Sequence, residues 1–301
     1  MSYLFGMSQL ELEEMAKILE ASGTYRVIRK LGQRSVINPP DQTPLKTGLF
    51  VDVETTGLDS SKDEIIELAM VPFTYSDDGR IFEIKGAFQQ LQQPKKPVPP
   101  EITTLTGITD EMVRGQNIDR AEVEALVGEA DLIIAHNAGF DRRFLERFSQ
   151  SFAIKPWACS MSQIDWRAEG YEGAKLSYLA NEAGFFYDRH RAVNDCLAAI
   201  ELLALRLPRS QSLTLYQLLE RANRPTWRIW AENAPFDFKD ILKARGYRWA
   251  DGTAGPKAWY TDIADEKLND ELKYLRSEIY QREINLNKKK ITALERFSVR
   301  A

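Results

Sequence analysis

Gly48-Leu-Phe-Val-Asp-Val-Glu-Thr-Thr-Gly57 is an apolar run that ends in two acids and then a turn. Side chains alternate along a β-strand, so residues two apart share a face. Asp52 and Glu54 therefore point the same way from a strand that reads as buried. Burying one unpaired carboxylate is costly, and burying two side by side is worse. Positive charge must sit between them, and divalent cations supply it most economically.

Two later segments repeat the pattern. Asp131-Leu-Ile-Ile-Ala-His-Asn-Ala-Gly-Phe-Asp141 reads as a strand, a turn and a helix that begins near Asp141. His190-Arg-Ala-Val-Asn-Asp195 opens another helix. Each residue alone has a plain structural reading. An acid at a strand end is a turn or cap residue, Asp141 a helix N-cap, Asp195 a solvated helix position, and a lone histidine part of the scaffold. The ordered conjunction of Asp52, Glu54, Asp141, His190 and Asp195 favours chemistry instead. The two histidines of the chain, His136 and His190, both lie inside these segments. No Cys or His cluster is present, so ligands would be hard oxygens, suited to Mg²⁺ or Mn²⁺ rather than Zn²⁺.

The segments resemble the three exonuclease motifs of the DEDDh family of 3′–5′ exonucleases, most nearly the epsilon-like proofreading subunit of bacterial replicative DNA polymerase. The likeness covers about residues 46–207 and includes Leu105-Thr-Gly-Ile-Thr-Asp-Glu-Met-Val113. It implies an α/β fold, an RNase H-like mixed sheet flanked by helices. It also implies two Mg²⁺ or Mn²⁺ ions held by Asp52, Glu54, Asp141 and Asp195. Asp52 would bridge the ions. Glu54 and Asp195 would complete the shell of the ion that binds the attacking water, and Asp141 would hold the second. His190 would be the general base, a role suited to an imidazole whose ordinary pKa is about 6.5. Thr55, Thr56 and Gly57 would approach the terminal nucleotide and Leu58 would pack on its base. His136 would set the strand-to-helix turn, or with Asn137 touch substrate. The implied substrate is a nucleic acid with a free 3′ end, single-stranded or frayed. The motifs do not separate DNA from RNA, and the proofreading-like set favours DNA. An RNA-directed exoribonuclease and a nucleic-acid-binding polymerase-accessory protein are the competing readings. The resemblance does not establish a polymerase or repair partner.

Composition sets bounds. With 301 residues and a 44% hydrophobic fraction, one large domain with extensions, or two domains, can be filled. Cys159 and Cys196 form no metal or redox motif, a usage that fits the cytoplasm. The first residues lack the pattern of a signal peptide, and no apolar run is long enough to span a bilayer. The net charge of −4 is unevenly spread: residues 215–301 carry 17 Lys and Arg against 13 Asp and Glu, residues 1–214 carry 23 against 31.

Along the chain, residues 1–45 read as a helix–strand extension, an amphipathic helix over 8–21 and a strand over 25–31, packed on the exonuclease unit of 46–207. Strands are expected at 48–54, 63–75, 80–91 and 131–135. Helices are expected at 100–107, 109–114, 120–129, 138–150, 175–184 and 191–206. The proline-bounded loop 89–100 reads as a solvated connection, with a border to the substrate as the alternative. Residues 208–226 read as a linker, with a short helix before Pro225. Residues 227–282 form a small Trp-rich α+β module, with four tryptophans within 33 residues. Its Phe-x-x-Lys-Asp-x-x-Lys-x-x-Gly-x-x-Trp run resembles modules attached to DNA-handling enzymes. Trp249 and Trp259 are expected to anchor its core. Lys239, Lys243, Arg245, Arg248 and Lys257 read equally well as phosphate contacts or as a solvated face. The 4-3-4 spacing of Leu268, Leu272, Leu275 and Ile279 predicts a helix packed on that module. Residues 283–301 read as a basic tail.

Overall fold

The computed structural model describes residues 8–300 apart from Gln33, Thr253 and Ala254. The rest of the expected N-terminal extension, residues 1–7, lies outside the described residues. The first helix, α1 (Gln9–Ala21), is capped by Ser8 and Glu11 in a reciprocal capping box. The extension packs on the exonuclease unit through Arg29 and Lys30, which pair with Phe185 and Phe186, and through Leu31 and Ile37, rather than through this helix. Ala16 is its one buried residue, while Leu10, Met15 and Ile18 stay exposed. The helix is tethered by polar contacts, with Arg29 paired to Glu13 and Glu20. The strand expected over 25–31 shrinks to β1 (Arg29–Lys30).

Four strands follow: β2 (Lys46–Thr55), β3 (Ile65–Tyr75), β4 (Ile81–Ile84) and β5 (Phe88–Leu91). The single strand expected over 80–91 is two, because both halves pair with β3 at different places, Ile84 opposite Phe73 and Phe88 opposite Met70. Three helices lie near their expected places, α2 (Pro100–Thr106), α3 (Asp110–Val113) and α4 (Arg120–Glu129). Then come β6 (Leu132–Ala135), α5 (Ala138–Phe148), β7 (Trp157–Cys159), α6 (Leu176–Glu182), β8 (Phe185–Phe186) and α7 (Ala192–Ala204). The sheet runs β4-β3-β2-β6-β7 with β5 also on β3. β2 is antiparallel to β3 and parallel to β6, so the sheet is mixed, as expected. The short pair β1 and β8 is parallel and separate.

Helices cover both faces, so β3 and the Leu49–Val51 stretch of β2 are apolar at successive positions rather than alternating. Leu49 and Val51 face a core with Phe144 of α5 and Trp157 of β7. Phe50 faces the opposite core, with Cys196 and Ala199 of α7. Asp52 and Glu54 share the Phe50 parity and so lie on the α7 side. Gly48 is required by packing, since a Cβ there would meet the Phe73 ring at 2.4 Å.

The stretch expected as a linker is largely α8 (Thr214–Asn223), whose Leu215, Leu218 and Leu219 join the α7-side core. An apolar helical stripe of that kind is buried rather than left as a tether. Beyond it lie β9 (Thr226–Ala231), α9 (Lys239–Ala244), β10 (Arg248–Trp249), β11 (Trp259–Ala264), α10 (Leu268–Tyr274) and β12 (Lys288–Ile291). The strands make a separate antiparallel sheet, β10-β11-β9-β12. Leu272, Leu275 and Ile279 pack against Ile229 and Tyr247 in its core, as the spacing predicted. Trp249 does not anchor that core: it is 53% exposed and meets Trp259 edge-on at 5.5 Å.

The expected basic tail is also revised. Lys288–Ile291 is the fourth strand, stabilised by Lys288 and Lys290 over the Trp227 ring and by buried Ile291. The chain then returns to the first sheet, where the Trp157 N–H donates to the Ala293 carbonyl at 2.8 Å. Buried Arg142 of α5 donates to the carbonyls of Ala293, Leu294 and Arg296.

Candidate active site

Asp52 and Glu54 stand at the end of β2, and Asp195 enters from the first turn of α7. One carboxylate oxygen from each lies within 4.8 Å of the others. Asp141, in the first turn of α5, comes from across the sheet and is outside that cluster. Its Oδ1 accepts a hydrogen bond from the Val53 N–H at 3.2 Å, which seats it against the same strand end. Asp195 is held from two sides. Its Oδ1 accepts from the Tyr187 hydroxyl at 2.9 Å and its Oδ2 from the His190 backbone N–H at 3.0 Å.

Four acids so placed cannot ionise freely. Burial, then repulsion from Asp141, Asp195 and Glu54, drives the Asp52 carboxyl well above its ordinary range. Glu54 is pushed up to about 8 by burial and by Asp195. Asp141 is pushed up to about 7, again chiefly by burial, against the pull of the backbone N–H groups it accepts. Burial also raises Asp195, against the hydrogen bonds from Tyr187 and His190. A bound cation removes this penalty. The donor set fits one: the three clustered donors are carboxylate oxygens, the preference of a hard divalent ion. Cys196 beneath them is not a competing ligand. Its thiol points at the carbonyls of Phe50 and Ala69, and burial raises it far from ionisation.

The family model for exonucleases of the RNase T type matches residues 49–203. The chain belongs to this exonuclease family. Similar proteins include the PolC-type DNA polymerase III of Clostridium perfringens (strain 13 / Type A), 32% identical over 179 residues, which are 57% of this chain and 12% of the relative. The PolC-type DNA polymerase III of Latilactobacillus sakei subsp. sakei (strain 23K) is 41% identical over 172 residues, 54% of this chain and 11% of the relative. The chain thus spans only a small part of the length of these relatives. A crystal structure of the zinc-bound E. coli ExoI–ssDNA complex shares the fold, with a TM-score of 0.51 and 16% identity over 77% of this chain and 71% of that one.

The remaining expected positions of this exonuclease-family chain are placed unevenly. His190 is half-buried, with a positive φ of 62°, and its ring makes no hydrogen bond among the described residues. His136 is committed to the scaffold. Its ring nitrogens pair with the Ser160 hydroxyl at 2.9 Å and the Ala174 carbonyl at 2.7 Å, and burial lowers it to about 4. Thr55 is buried and donates to the Gly57 carbonyl. The Thr56 hydroxyl is tied to Asp63 and to the Glu64 N–H. Gly57 is required by close approach, because a Cβ there would lie 2.5 Å from the Asp63 carboxylate. Leu58 is 87% exposed, and Asn137 is exposed with φ 81°. The 89–100 loop is more than a solvated connection. Lys95 and Lys96 share a groove of about 1370 Å³ with Thr56, and the Lys95 N–H donates to Glu64.

Three residues that the motif reading missed complete the surroundings. Glu67, opposite Glu54 in the β2–β3 register, is fully buried. It accepts from the Arg191 guanidinium at 2.9 Å, the Ala192 N–H at 3.0 Å and the Gln89 side chain at 2.6 Å. An acid at the N-terminus of α7 suits the helix dipole and fixes where the helix begins. Glu67 thereby sets the position of His190 and Asp195. Its signal was a single acid inside the apolar run Ile65–Tyr75. Arg191 and Tyr187, beside His190, had no signal beyond proximity.

Proposed function

We propose that the protein is a divalent-metal-dependent 3′–5′ exonuclease that removes nucleotides from the ends of DNA. The observation that carries this reading is the cluster of Asp52, Glu54 and Asp195 oxygens within 4.8 Å, with Asp141 at the same strand end. Asp52, Glu54, Asp141 and Asp195 would hold two Mg²⁺ or Mn²⁺ ions. Such ions supply Lewis-acid stabilisation of the attacking and leaving oxygens.

The chain's own groups do the rest. His190 takes the proton of the attacking water at its imidazole, and the phosphorus–O3′ bond breaks as the new P–O bond forms. Tyr187 and the His190 N–H keep Asp195 oriented, and Glu67 with Arg191 keeps the His190 turn in place. Thr56, Gly57, Leu58 and Asn137 border the terminal nucleotide, with Leu58 the exposed apolar surface for its base. DNA is favoured because the PolC-type relatives are named as DNA polymerases and the ExoI neighbour is a complex with single-stranded DNA. A polymerase link would follow from the same relatives. The reading assigns catalysis to residues 46–207.

The test is a time course on 5′-labelled single-stranded DNA and its RNA twin, in Mg²⁺, Mn²⁺ and EDTA, with wild type and Asp52→Ala. The expected result is a ladder that shortens from the 3′ end, needs metal and is absent in the variant. DNA and RNA left intact by the wild type with either metal would sink the reading. RNA consumed faster would move the substrate to RNA.

A further inference from the structure

A second groove of the surface lies away from the carboxylates. Between the two sheets runs a groove of about 1150 Å³, lined from α5, the end of α8, and strands β9, β10 and β11. Seven of its lining residues are Lys or Arg and three are Asp or Glu, in a chain whose net charge is −4. That concentration of positive charge is local. It is not a by-product of composition.

Individual cations in the groove are available for exchange. Arg143 and Lys267 are exposed and lack an ion-pair partner among the described residues. Arg224 is paired with Glu220 across one exposed helical turn at 3.2 Å. Arg248 is only 3.6 Å from Asp262 and lies over the Tyr260 ring. Exposed pairs of this kind contribute about 0.2–1 kcal/mol, so an incoming phosphate displaces them at little cost. Beside them stands Trp249, more than half open to solvent. Cations beside an exposed aromatic suit a chain that carries both phosphates and flat bases. An acidic peptide offers nothing for the aromatics to stack on.

The groove and the candidate active site draw on the same helix without sharing a lining residue. Gly139 lines the groove, and Gly139 and Asp141 share the first turn of α5. Of the five basic residues singled out in the C-terminal sequence, Arg248 alone lines it. Lys239 is turned onto Phe236, and Arg245 is held by Glu271 and Tyr274.

We propose that this groove binds the backbone of single-stranded nucleic acid several nucleotides from the reacting 3′ end. Phosphates sit on Arg143, Arg224, Arg248 and Lys267, and a base lies against Trp249. The 3′ placement rests on the exonuclease reading. The binding itself does not.

The test measures binding of a 5′-fluorescent 20-nucleotide oligo(dT) by anisotropy in EDTA, where hydrolysis is silent. It compares wild type, Arg143→Glu/Lys267→Glu and Trp249→Ala across a salt series. Four phosphate contacts on a single strand give a log–log salt slope of about −3, and losing two should bring it to about −1.5. The charge-reversed protein should bind at least about tenfold more weakly at low salt, and Trp249→Ala about fivefold or more. All three proteins should cleave the p-nitrophenyl ester of thymidine 5′-monophosphate, too short to reach the groove, at the same rate. Unchanged affinity and slope would overturn the proposal, as would displacement of the oligonucleotide by poly-glutamate as readily as by unlabelled oligo(dT). If no protein cleaves the ester, the exonuclease reading fails on its own while the anisotropy still decides the groove.

Discussion

The turns before α5 and α7 have the same task and perform it differently. Each ends an extended segment, contains a histidine, passes through a left-handed residue and delivers an aspartate in the first turn of a helix. Before α5 the left-handed residue is Asn137, and His136 is left to point inward, where Ser160 and Ala174 hold both ring nitrogens. Before α7 the left-handed residue is His190 itself, at an ordinary cost of about 1–2 kcal/mol for a side chain larger than glycine. Its backbone N–H is spent on Asp195 and its ring is not tied down. A one-residue shift in which position adopts φ > 0 separates a histidine that builds the turn from one left free to act.

Substitutions can break that comparison. The largest effect should come from His190→Ala, which should lower kcat by about 10²–10⁴ with Tm nearly unchanged, as expected for loss of a general base. A kcat within tenfold of wild type would mean that the two turns do not differ in role. Glu67→Gln comes next. It removes the charge that holds Arg191 and the start of α7, and kcat should fall about tenfold while KM changes little, measured on a short oligonucleotide. A KM change alone would place Glu67 in substrate binding instead.

A pH series sharpens the comparison, because the aspartates that the two turns deliver meet Glu54 at the end of β2, and all three acids are raised. In the metal-free protein an unfolded Glu54 loses its proton near 4.5, and the native one near 8. The native state therefore holds the extra proton between those values, and stability falls as pH rises through that window. Tm should drop by about 5 °C or more from pH 5 to pH 8 in EDTA. Mg²⁺ should restore more of it at pH 8 than at pH 5. A metal effect independent of pH would show that the acids are not the site of binding. The smallest effect on rate belongs to His136→Ala. Two buried hydrogen bonds are lost, for about 1–3 kcal/mol of stability, and kcat below the melting range should stay within about threefold of wild type.

Much of this arrangement was legible beforehand because it follows from local rules. Period-two alternation placed Asp52 and Glu54 on one face. The turn after Ala135 and the helix after His190 were visible as apolar runs broken by polar residues. What escaped depends on partners far away in the chain. Glu67 matters through Arg191, 124 residues away, and one strand gives no hint of that pairing. Trp249 looked like a core residue because tryptophans usually are, yet Ile229, Leu272 and Leu275 already fill the small core. The lysines of 288–290 looked solvated, and only the free edge of β9 makes them a strand.

Arg142 carries a practical consequence for anyone who wishes to dissect the chain. Its guanidinium is wholly enclosed, and three of its acceptors come from residues 293–296, far beyond the stretch that defines the family. A protein trimmed to residues 49–203 would lose those three acceptors, leave Arg142 only its pair with Glu146 at 2.8 Å, and uncover the edge of β7. The region that looks dispensable by homology is the lock on the enzyme's back, and the natural cut points for a minimal nuclease lie outside it.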